Sequence, residues 1–115
     1  MGQLLDELLE EVKESESDEQ IRIICDIIYK EELSTADDIE KYEKAPKGAN
    51  IFLSLPVGDN SYICLQREAA GSYAVSMWTL NFDRLLIRNT WNIKEIQPQK
   101  IMKAFAERLK WAKGE

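Results

Sequence analysis

IFLSLPVGDNSYICLQR, residues 51–67, is where the period of the chain changes. Ile51 to Leu55 is a short apolar run, Pro56-Val57-Gly58-Asp59-Asn60 is dense in turn residues, and Ser61 to Arg67 is apolar again. Two β-prone runs joined by such a turn read as a hairpin. Downstream, Ala69-Ala70-Gly71 supplies a second turn and Ser72 to Leu80 alternates, with Tyr73, Val75 and Met77 on one side and Ala74, Ser76 and Trp78 on the other. Asn81-Phe82-Asp83 turns the chain once more. The fourth strand is expected to carry Leu85, Ile87, Trp91 and Ile93 on one face and Arg88, Thr90, Asn92 and Lys94 on the other.

Upstream of the hairpin the period is helical. Leu4, Leu5, Leu8, Leu9 and Val12 fall within an arc of roughly 140°, with Asp6, Glu7, Glu10, Glu11 and Glu14 on the opposite arc. Ser15, Ser17 and Asp18 are expected to interrupt this helix, and Ser17-Asp18-Glu19-Gln20 has the form of a capping box opening a second one over about residues 18–32. The apolar residues of that second helix leave only Arg22, Asp26 and Lys30 on a narrow wet strip, which predicts a central helix. Ser34 is expected to cap a short third helix that ends at Ala45-Pro46-Lys47-Gly48. After the sheet, Gln97-Pro98 marks a helix start, with Ile101, Phe105, Leu109 and Ala112 as its docking stripe.

These elements predict an α+β fold in which N-terminal helices and a C-terminal helix pack on a four-stranded antiparallel meander. The expected organisation is one domain over residues 1–115, with an acidic helical portion at 1–46, the sheet at 50–95 and the last helix at 97–113. A chain of this length buries enough surface to fold without disulfides or metal. Cys25 and Cys64 each sit in an apolar run with neither a CxxC pattern nor a histidine nearby, and are expected to be buried free thiols.

Charge is distributed unevenly. Residues 1–50 hold 15 acids against 6 bases, whereas residues 51–115 hold 6 acids against 9 bases. Lys13 is the only base among residues 6–19. An acidic whole disfavours binding to nucleic acid or anionic membranes, which require clustered Lys and Arg. The absence of an 18-residue apolar run and of a basic, apolar N-terminal leader points to a cytoplasmic protein that does not associate with membranes.

Enzymatic chemistry fits poorly, since the chain has no histidine, and no glycine pattern for phosphate lies between a strand and a following helix. No catalytic residue, metal site or cofactor is expected. The expected function is instead that of a small acidic binding protein, of the inhibitor, immunity, secretion-chaperone or phage-encoded counter-defence type. It would dock a basic partner, such as a nuclease or other nucleic-acid-binding protein, through Asp6, Glu7, Glu10, Glu11 and Glu14. Two alternatives stand beside it. Trp78, Arg88 and Lys94 could form an aromatic and basic platform for single-stranded nucleic acid. An exposed apolar patch could drive self-association into a homodimer.

Overall fold

A computed structural model describes residues 2–69 and 71–114, with side chains described from Asp18 onward. The hairpin at 51–67 forms as β1 (Ile51–Pro56) and β2 (Ser61–Arg67), and Gly58 takes the positive φ of 76° that its turn requires. Two further strands, β3 (Tyr73–Asn81) and β4 (Arg84–Ile93), complete an antiparallel meander in the order β1-β2-β3-β4. The β3–β4 connection is tight, and Phe82 within it adopts φ 56°. Alternation assigns the faces. Leu53, Leu55, Ile63, Leu65, Tyr73 and Val75 point into one core, joined there by Ile93.

Among the described residues there are three helices: α1 (Gly2–Ser34), α2 (Ile39–Glu43) and α3 (Pro98–Ala112). Ile21 and Cys25 of α1, Tyr42 of α2 and Ile101 and Phe105 of α3 enter the same core. The docking stripe of α3 is thus the expected one, with Leu109 and Ala112 partly buried along it. Pro98 occupies the first turn, where its missing N–H costs nothing. Lys113, just beyond α3, pairs with Glu32 of α1 at 3.5 Å and ties the two helices together at their C-terminal ends. Among the described residues no helix is long and apolar enough to cross a membrane.

Four local expectations are corrected. The break at Ser15–Asp18 does not occur, and α1 runs unbroken to Ser34. Serine is only a mild helix destabiliser and neither Gly nor Pro falls in that stretch. Asp18 makes tertiary bonds instead of opening a new helix: its carboxylate accepts from the Arg67 guanidinium and from the Tyr73 hydroxyl. The 18–32 segment is not central either, because Ile23 and Ile27 are 54% and 52% exposed. The helix lies against the sheet on one side only, through Ile21, Cys25 and partly buried Ile28 and Tyr29.

Ser34 is the last residue of α1 and donates its hydroxyl to the Glu31 carbonyl at 2.7 Å, so the short helix begins later, after Asp38. In β4 the alternation changes parity. Met77 pairs with Asn89 and Trp78 with Ile87, leaving Arg88 as the extra residue of a β-bulge. Leu85 and Ile87 consequently share the face of Trp78, while Trp91 and Ile93 lie on the core side.

Candidate functional site

The sheet face opposite the core carries a buried polar chain. Trp78 lies half-buried on β3 and donates its indole N–H to Ser76 Oγ at 2.8 Å. Ser76 donates in turn to Gln66 Oε1 at 2.7 Å, and Gln66 donates through Nε2 to Glu68 at 3.1 Å. Beside them the Cys64 thiol donates to Ser54 Oγ at 3.2 Å. Among the described residues every buried side-chain nitrogen and oxygen has a partner, as a low-dielectric site demands.

Trp78, Arg88 and Lys94 are not gathered into one cluster. The indole N–H of Trp78 is engaged within its own strand, Arg88 occupies the bulge, and Lys94 lies beyond the end of β4. Ile87 is the residue paired with Trp78, and at the rise of a strand Lys94 lies about 20 Å further along the chain. Arg88 and Lys94 are both exposed. Asp6, Glu7, Glu10, Glu11 and Glu14 fall within the span of α1, and their side chains lie outside the described residues.

Cys25 and Cys64 are buried free thiols. Burial raises the Cys25 thiol to about 12 against an opposing pull from Arg22, and raises Cys64 to about 11 against the hydrogen bonds of Ser54 and Ser76. At neutral pH both are protonated, and a protonated buried thiol is a poor nucleophile. Among the described residues no three His, Cys, Asp or Glu side chains are grouped as metal ligands would be.

Two features escape a reading of the sequence. One is the Asp18 cluster, where α1 is clamped to the end of β2 and the start of β3; burial raises the Tyr73 phenol there, opposed by Arg67 and Arg22. The other joins β4 to α3. Trp91 and Trp111 meet edge to face, with centroids 5.9 Å apart and planes at 78°. The Arg108 guanidinium sits 4.4 Å from the Trp91 centroid and 6.0 Å from that of Trp111. This group borders an open cleft of about 440 Å³ between the end of β4 and α3. The spacing of Arg108 and Trp111 on one helical face was the available signal, but their partner Trp91 lies on another element.

Compared with known proteins, the chain matches no protein-family model, no curated protein and no solved structure.

Proposed function

We propose that this is a non-enzymatic binding protein of the inhibitor, immunity, chaperone or counter-defence type, docking a basic protein surface through the acidic arc of α1. The observation that carries the reading is the environment of Asp18, whose carboxylate is held by the Arg67 guanidinium and the Tyr73 hydroxyl. At about 100° per residue, positions 7, 11 and 14 recur in the sequence at helical spacing before position 18. They are Glu7, Glu11 and Glu14, flanked by Asp6 and Glu10, with Lys13 the only base in that stretch. A row of like charges opposed by one cation repels itself, and a partner rich in Arg or Lys relieves that repulsion as Arg67 does for Asp18. The protonated thiols and the absence of histidine favour binding over catalysis.

Charge reversal tests this. A chain with Glu7, Glu10, Glu11 and Glu14 changed to Lys should lose, at low salt, a basic protein that the parent retains from a lysate of the native host. The parent's association rate should fall as ionic strength rises. If the reversed chain retains the same proteins with the same affinity while circular dichroism shows α1 still formed, the carboxylates are only a solvated helix face.

A second reading, self-association, is favoured by Ile23 and Ile27, which lie one helical turn apart and are both more than half exposed. Sedimentation over a hundredfold concentration range separates the two. A salt-insensitive dimer abolished by Ile27→Glu would establish it, and a monomer at all concentrations would eliminate it.

A further inference from the structure

β4 is an edge strand of 10 residues, paired on one side to β3 and on the other to nothing among the described residues. An open edge presents unpaired N–H and C=O groups that template a further strand, and folded proteins protect such edges with charge and with bulges. The bulge at Arg88 interrupts the first half of this edge. The second half, Asn89–Ile93, continues in regular pairing with β3 and borders the cleft walled by Ala104, Arg108 and Trp111 of α3. A groove between an edge strand and a helix is the geometry in which extended peptides add to a sheet.

Charge chooses the occupant. The strand bears two cations, Arg84 and Arg88, and no acid, Lys94 follows its last residue, and all three cations are exposed. None of the three has a carboxylate within 4.0 Å among the described residues. Antiparallel pairing of this edge with its own copy would set the Arg84 end beside the Lys94 end of the second strand, and like charges across a strand pair are destabilising. Glu95 and Glu107 also line the cleft, where Lys94 and Arg108 balance them. The cleft is thus neutral, and the excess of positive charge belongs to the edge segment 84–94.

We propose that the β4 edge takes up an extended acidic peptide segment as a fifth strand. Backbone hydrogen bonds from Asn89–Ile93 set its register. Its carboxylates meet Arg88 and Lys94, and its alternate apolar side chains enter the cleft against Trp91 and Trp111, the latter 61% exposed. This surface is independent of the acidic arc of α1 and has the opposite sign.

The test is selection on the full chain from a displayed library of twelve-residue peptides in which Asp or Glu alternates with Val, Ile, Thr or Phe. The best member is then synthesised. Its binding should protect the Asn89–Ile93 amides from hydrogen exchange, weaken at least tenfold in the Arg88→Glu, Lys94→Glu chain, and be lost when alternate peptide nitrogens are methylated. That last measurement needs no change to the protein, so a variant that misfolds does not obscure the answer. Failure to enrich any member over peptide-free particles overturns the proposal. So does binding that tolerates N-methylation or protects other elements, and so does concentration-dependent protection of the same amides without peptide, which would make the edge a contact between two copies.

Discussion

The Asp18 carboxylate and the Arg67 guanidinium meet across 49 residues of sequence, and in meeting they fix α1 to the turn end of the β2–β3 hairpin. Both side chains are partly screened by the protein, with 24% and 37% of their surface exposed. The pair is therefore worth more than a surface ion pair and less than a fully buried one.

Asp18→Ala should lower the unfolding free energy by about 1–2 kcal/mol, since it strands a guanidinium and a phenol together. Urea titration measures this. Combining it with Arg67→Ala should cost clearly less than the two single losses added, because the second change removes a group already without its partner.

Phe82 holds φ 56° in the β3–β4 turn with its ring 93% exposed, so its side chain contributes strain without packing. Phe82→Gly should raise stability by about 0.5–1 kcal/mol, because glycine enters the left-handed region without penalty. A rise in the thermal midpoint is the expected sign. An unchanged or lower midpoint would mean that the greater freedom of the unfolded glycine chain cancels the relief.

Ser76 is fully buried and links the indole of Trp78 to the amide of Gln66. Ser76→Ala leaves both partners short of a hydrogen bond in a dry site, and should cost about 1–3 kcal/mol. Trp78 fluorescence should shift in the same variant, which a remote destabilisation would not produce in the folded state.

The two thiols define an alkaline limit. Their folded pKa values, about 12 for Cys25 and about 11 for Cys64, exceed the ordinary value of 9.0, so the fold keeps protons that the unfolded chain releases. Stability is then undiminished below pH 9 and declines as pH climbs from 9 toward 11–12, with a slope of up to about 1.4 kcal/mol per pH unit for each thiol. Burial also raises Tyr42, Tyr62 and Tyr73, which steepens the decline above pH 10. At pH 7.5 neither cysteine should react with a thiol reagent until the protein is denatured.

Face assignments on β3 were legible because parity along an unbroken strand is local: Tyr73, Val75 and Met77 alternate without interruption. On β4 the same rule fails at Arg88, since one extra residue reverses the parity on one side of the bulge and no turn residue announces it. The extent of α1 is hidden in the sequence for a different reason. Ser17 and Asp18 satisfy a capping pattern locally, yet the partners of Asp18 lie on strands far along the chain. The cluster of Trp91, Arg108 and Trp111 was hidden likewise, because it arises only where β4 and α3 are brought side by side.

The meander order has a kinetic consequence. Each strand pairs only with its neighbour in sequence, so the sheet can assemble by closing short hairpin loops, events on the order of microseconds. The joining of α1 to the sheet spans the longer separation between Asp18 and Arg67 and incurs the larger loss of chain entropy. We expect the hairpins to form first and the α1 clamp last. Substitution of Asp18 should then accelerate unfolding while leaving the refolding rate nearly unchanged, and a slowed refolding limb would instead place the clamp inside the folding nucleus.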